Sequence, residues 1–193
     1  MKRRSIVLTA AIVVTSVLST SFAILPTFVL AAEQAVSPER NPPGDISDSQ
    51  VFIAYTGPGF SMQVPEGWSR NNVAGGATFS DKYNLIAVTI ADAPVAPTVE
   101  SAKLDEAAAM SASGHAVEIT GIKSVALDGG EAIQIEYQSN SDPNDVTGKQ
   151  VRLERVRYLY FKGGKLVRLD MAAPAGADNV DQWLVMANSV KLD

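Results

Sequence analysis

From residue 51 onward, apolar residues recur first at strand-like and then at helix-like spacing. Val51–Thr56 is rich in strand formers and ends at Gly57-Pro58-Gly59, a strong turn signal. Phe60, Met62 and Val64 then alternate with Ser61 and Gln63, which predicts a half-buried strand stopped by Pro65. Ala77–Ser80 and Leu85–Ala91 predict another strand pair around Asp81–Asn84, with Ile86, Val88 and Ile90 on one face. Pro97-Thr98 offers a cap, Val99–Ser113 is rich in alanine, and Gly114 is a natural stop; together they predict a helix with a weak apolar stripe.

Two hairpins follow. A turn at Gly129-Gly130 places Ala126 opposite Ile133, Ser124 opposite Ile135, Ile122 opposite Tyr137 and Lys123 opposite Glu136. A turn at Gly163-Gly164 places Tyr160 opposite Val167, Tyr158 opposite Leu169, Val156 opposite Met171 and Arg157 opposite Asp170. Leu159, Phe161 and Leu166 lie on the face of that second charge pair, so both faces of the sheet carry apolar residues and each is partly covered. Val151 and Leu153 are out of phase with Val156, Tyr158 and Tyr160, which predicts a β-bulge near Glu154-Arg155.

At the end of the chain Val180, Trp183, Leu184 and Ala187 recur at i, i+3, i+4 and i+7, one face of a helix, with Asp178 as its N-cap. The expected order is four strands, a helix, four strands, a helix. Antiparallel hairpins with segregated helices define the α+β class: an antiparallel sheet of about six to eight strands with helices packed on its faces.

The first 32 residues differ in kind. Lys2-Arg3-Arg4 precedes a run over residues 5–32 with no charged side chain, and Leu30-Ala31-Ala32 suits a signal peptidase. This predicts a signal peptide cleaved near residues 31–33. The run is also long enough for an uncleaved anchor, although its Ser and Thr residues weaken it as a permanent span. Arg3-Arg4-Ser5-Ile6-Val7 loosely fits a twin-arginine export signal. Either way, the rest of the chain is expected outside the cytoplasm, touching a membrane only through residues 5–32 if they are retained. Residues 33–50 are polar, contain three prolines and show no periodicity, so they read as a flexible linker before a single domain at 51–193.

Composition narrows the chemistry. The chain has no cysteine, which excludes disulfides, thiolate catalysis, Cys-zinc sites and a lipid-modified cysteine. Its single histidine excludes paired-His chemistry within one chain. The net charge of −5 blends a leader with three basic and no acidic residues and a remainder of −8, which argues against nucleic acid as a partner.

Few side chains suggest a site. Arg152, Arg155 and Arg157, with Tyr158 and Tyr160, read either as a small anion or partner patch or as a mixed-charge sheet face, since Glu154 interrupts them and Asp170 faces Arg157. Trp68 reads as a recognition aromatic or, more simply, as core packing. His115 reads as a solvated turn residue rather than a lone base or metal ligand. Asp142-Pro143-Asn144-Asp145 lacks the ligand spacing of a calcium loop and reads as a hairpin loop. Gly75-Gly76, Gly129-Gly130 and Gly163-Gly164 read as turns rather than a phosphate-binding fingerprint. No catalytic constellation, cofactor site or metal site is expected.

Several ordered segments together resemble a known family. Phe60-Ser-Met-Gln-Val-Pro-Glu-Gly-Trp68 resembles the opening signature of PsbP-like proteins. Phe79-Ser80-Asp81 with Asn84–Ile90, then Lys165–Leu169, Asp181-Gln182-Trp183 and Ala187–Val190, resemble its later segments in the same order. The resemblance covers most of 51–193. It implies an antiparallel sheet between helices, shared with LpqN-type lipoproteins and a Ran-binding import factor. It also implies a non-enzymatic accessory or binding domain of the cell envelope, with a protein partner or a small hydrophobic ligand. The alternatives are an enzyme or enzyme subunit using carboxylates, and a membrane-anchored spacer.

Overall fold

The computed structural model of the chain describes residues 33–193. The signal or anchor expected at residues 1–32 lies outside the described residues. Among the described residues, ten strands form two antiparallel sheets. The smaller contains β1 (Phe52–Gly57), β2 (Phe60–Pro65) and β10 (Lys191–Leu192), in the order β1-β2-β10. The larger contains β3 (Ser69–Val73), β4 (Gly76–Asp81), β5 (Asn84–Asp92), β6 (Glu118–Leu127), β7 (Gly130–Asn140), β8 (Arg152–Lys162) and β9 (Lys165–Pro174), in the order β3-β4-β5-β9-β8-β7-β6.

The larger sheet is covered on both faces. On one face Val156, Tyr158 and Tyr160 of β8 and Val167, Leu169 and Met171 of β9 meet Phe60, Met62 and Val64 of the small sheet. The last helix, Val180–Asn188, closes this core with Met186 and Ala187, and the Tyr160 hydroxyl donates to Ala187 O at 2.8 Å. On the other face Ile133, Ile135, Tyr137, Leu159 and Leu166 pack under Ala102 and Met110 of the first helix. That helix consists of Val99–Ser101, a π-helical stretch Ala102–Ala107, and Ala108–Ala112. As the sequence predicts, Thr98 caps it, accepting from Ser101 N while Ser101 Oγ accepts from Thr98 N. The result is the expected α+β class.

The β8–β9 register is the one read from the Gly163-Gly164 turn: Tyr160 faces Val167, Tyr158 faces Leu169 and Arg157 faces Asp170. Gly163 and Gly164 have φ of 57° and 79°, as a two-residue turn of this hand requires. The β6–β7 register differs by two residues. Leu127 pairs with Gly130, so Asp128-Gly129 is the turn, and Ser124 faces Ile133. The cause is packing against the chain end. Asp128 N donates to Asn188 Oδ1 at 3.2 Å, and a Cβ on Gly129 would lie 2.1 Å from Val190 O, so only glycine fits there. An even shift leaves every side chain on its expected face. Lys123 therefore still reaches Glu136, now diagonally, at 3.0 Å.

Three further expectations are corrected. No bulge interrupts β8, whose pairing with β7 and β9 is continuous. Both faces are covered, so apolar residues of either parity are buried without a phase change. The irregularity lies instead in β6, between Ile119 and Gly121. The last helix is capped at Asn179 rather than Asp178 and has no side-chain cap bond. The Asn179 side chain instead accepts from Ile46 N at 2.6 Å and donates to Gly44 O at 2.9 Å. Those contacts carry the third correction. Residues 33–50 form no regular element, but they lie along the domain and bury Ile46, rather than standing apart from the core.

Candidate functional site

Strand β8 lies between β9 and β7 inside the large sheet, and its alternation sends its basic residues to different places. Arg152 is an internal strut, 3% exposed. Its Nη1 donates to Ala116 O at 2.8 Å and to Asn140 Oδ1 at 3.3 Å, and its Nη2 reaches Glu118 at 3.4 Å. Arg157 lies under the first helix. Its Nε donates to both Asp170 oxygens, at 3.0 and 2.9 Å, and its Nη1 to Glu106 Oε2 at 2.8 Å. Arg168 holds the other Glu106 oxygen, donating from Nε at 2.8 Å.

This network sets the local electrostatics. Burial alone would raise the Glu106 carboxyl, but Arg168 and Arg157 hold it below the usual carboxylate range. Burial, with the Asp170 charge, pushes the Tyr137 phenol up to about 12, and that phenol donates to Asp170 Oδ1 at 2.9 Å.

Tyr158 is buried on the opposite face, where burial raises its phenol pKa. Trp68, between β2 and β3, is half-buried against the main core. The five residues singled out from sequence therefore do not form one patch. Arg155 and Arg157 border one hollow under the first helix, and Arg155 and Tyr158 border a second beside the last helix. Arg152 and Trp68 belong to neither.

The second hollow is a groove of about 420 Å³. Its floor is the polar margin of the sheet, Gln134, Glu136, Gln138 and Glu154, and its wall is Val180, Trp183 and Leu184. Here the helix departs from the sequence reading. Its core-facing residues are Gln182, Met186 and Ala187, while Val180 is 62% and Leu184 40% exposed. The apolar stripe read from i, i+3, i+4 and i+7 spacing is thus divided: Ala187 is buried and Trp183 packs against the main core, while Val180 and Leu184 open onto the groove. The signal was present in sequence, but a helix with apolar residues on two flanks does not declare which one the core takes.

The first hollow, about 240 Å³, is polar. His115 borders it from a tight turn in which Gly114, His115 and Ala116 have φ of 89°, 57° and 46°. Glu33 sits beside this turn. It accepts from His115 N at 2.9 Å, Asn140 Nδ2 at 2.8 Å and Gln150 Nε2 at 2.7 Å, and those bonds, Asn140 first, hold its carboxyl below the ordinary range. Nothing in the sequence links Glu33 to His115; only the fold joins them. The Asp142–Asp145 loop joins β7 to β8, with Asn144 Oδ1 accepting from Val146 N and Thr147 N.

No protein-family model matches the sequence, and no curated protein matches it in a sequence search. Solved structures do match. The cyanobacterial PsbP (CyanoP) of Synechocystis sp. PCC 6803 aligns with 79% of this chain and 100% of its own, at 17% identity and a TM-score of 0.55. A protein from Bacteroides thetaiotaomicron VPI-5482 aligns with 70% of this chain and 45% of its own, at 10% identity and a TM-score of 0.45. The chain has a PsbP-like α+β fold, as the ordered sequence segments implied. Among the described residues no helix is long and apolar enough to cross a membrane.

Proposed function

We propose that the chain is an exported, non-enzymatic accessory protein of the cell envelope that binds a protein partner through its PsbP-like domain. The fold likeness to CyanoP is the observation that carries this reading. The basic start and uncharged run over residues 5–32 support export, with cleavage near 31–33 or retention as an anchor. The groove beside the last helix is the surface to which the partner is assigned. Val180 and Leu184 leave apolar area open at its wall, and exposed apolar area beside polar floor residues suits recognition. Glu154 on the floor, with a body of net −8, favours a segment with apolar and basic residues over a purely hydrophobic small ligand.

The test is retrieval of the tagged full chain from its own envelope fraction, beside Val180→Ser/Leu184→Ser. A protein that co-purifies with the native chain and is lost with the variant supports the reading. Equal recovery with both, or recovery of a small apolar ligand alone, contradicts it.

A further inference from the structure

We propose that residues 33–36 couple removal of the leader to folding: the leader is cut while the domain is still open, and a chain that closes first resists the peptidase. The inference rests on the reading of an exported chain cut near residues 31–33, and adds to it the order of events.

A buried amide carries the inference. Asn140 of β7 is 1% exposed. Its Nδ2 donates to Glu33 Oε1 and to Gln34 O, both at 2.8 Å, and its Oδ1 accepts from Val36 N at 3.0 Å and from Arg152 Nη1 at 3.3 Å. A side-chain amide has two donor hydrogens and an oxygen with two lone pairs, so this arrangement uses all four positions. Three of the four bonds go to the amino-terminal segment. Undocking that segment strips them from a side chain built into the interior, where polar groups are seldom left unmatched. The docked segment is therefore a structural part of the domain.

The hold begins beside the expected cut. Glu33 Oε2 accepts from His115 N at 2.9 Å, and Oε1 accepts also from Gln150 Nε2 at 2.7 Å. The Glu33 side chain and the main chain at Gln34 and Val36 are thus pinned within a few residues of the scissile bond. A peptidase takes its substrate extended, with main-chain groups paired to the enzyme as an added strand. The Gln34 carbonyl and the Val36 amide cannot turn to the enzyme while Asn140 holds them. Cutting of the folded chain waits on local opening, and its rate falls with the open fraction.

Position along the chain sets the timing. His115, Asn140 and Gln150 lie 82, 107 and 117 residues beyond Glu33. A chain threaded across the membrane from its amino-terminal end presents the cut before any of the three arrives. A chain exported already folded presents the segment docked and keeps its leader. The order therefore favours export of an unfolded chain over the folded export that a twin-arginine signal directs.

The test gives a purified signal peptidase, in detergent, a peptide of residues 20–40, the folded full-length chain, and its Asn140→Ala and Gln150→Ala variants, whose cut sequence is unchanged. Melting curves check folding, and mass spectrometry reads the cut position. The peptide is expected to be cut near 31–33 and the folded native chain at least about tenfold more slowly. Both variants are cut faster than the native chain, Asn140→Ala the more so because it removes three bonds to the segment where Gln150→Ala removes one. If Asn140→Ala does not fold, Gln150→Ala carries the comparison. Cutting of the folded native chain within about twofold of the peptide overturns the coupling and leaves the export reading standing. Folded variants cut no faster than the native chain overturn it too. A peptide left uncut near 31–33 overturns the cleavage reading and the coupling with it.

Discussion

Arg157 and Asp170 face each other across β8 and β9, and Arg157 Nε donates to both oxygens of the carboxylate, at 3.0 and 2.9 Å. The pair is half-buried under the first helix and shares Arg157 with Glu106. Removing the cation leaves two carboxylates facing each other with less compensation. Arg157→Met is expected to lose about 2–3 kcal/mol, between the values for exposed and fully buried pairs. Adding Asp170→Asn should recover part of that loss. Urea unfolding of the single and double variants measures the coupling.

The same network fixes an acid limb of stability. The Glu106 carboxyl lies below its ordinary value in the folded state. Its contribution is therefore complete above the unfolded value of about 4.3 and is lost as pH falls through the lower folded value. Unfolding free energy of the native chain should decline more steeply below about pH 4.3 than that of Glu106→Gln. Parallel slopes would remove Glu106 from the explanation.

Glu33 fastens the amino-terminal segment to the domain at three donors, and Val36 N follows by donating to Asn140 Oδ1 at 3.0 Å. Glu33→Ala should speed hydrogen exchange at the Val36 and His115 amides while exchange in β8 is unchanged. Unaltered exchange at both amides would show that the segment is held by other contacts.

The two flanks of the last helix should respond differently to substitution. Met186 is fully buried, so Met186→Ala is expected to cost about 2–5 kcal/mol. Val180 and Leu184 are exposed at the groove, so Val180→Ser/Leu184→Ser is expected to stay within about 0.5 kcal/mol per site. Thermal unfolding of the two variants checks the assignment of the faces.

How far the sequence discloses this arrangement varies by element. The Arg157–Asp170 pair was legible because a two-residue glycine turn fixes register, and register fixes every partner along the hairpin. The β6–β7 hairpin was legible only to within two residues, because Asp128-Gly129 and Gly129-Gly130 are both good turns. The choice is made by Asn188 and Val190, far along the chain. Strand β3, Ser-Arg-Asn-Asn-Val, is exposed throughout and carries no alternation to read. Residues 33–50 hold the lone buried anchor Ile46 among polar neighbours, so composition alone describes a linker. Of the five candidate site residues, Arg155 alone borders both hollows, and Arg152 is withdrawn into the fold by Ala116 and Asn140, partners distant in sequence that no local pattern announces.

The central claim, a protein partner held at the last-helix groove outside the cytoplasm, is tested most directly by site-specific photo-crosslinking in the native envelope. A photoreactive residue replaces Leu184 at the groove or, as control, Leu104, which is 67% exposed on the first helix. The expected result is one discrete crosslinked protein from position 184, in an extracytoplasmic fraction, and none from position 104. No adduct at 184, or the same adduct from both positions, would contradict the account.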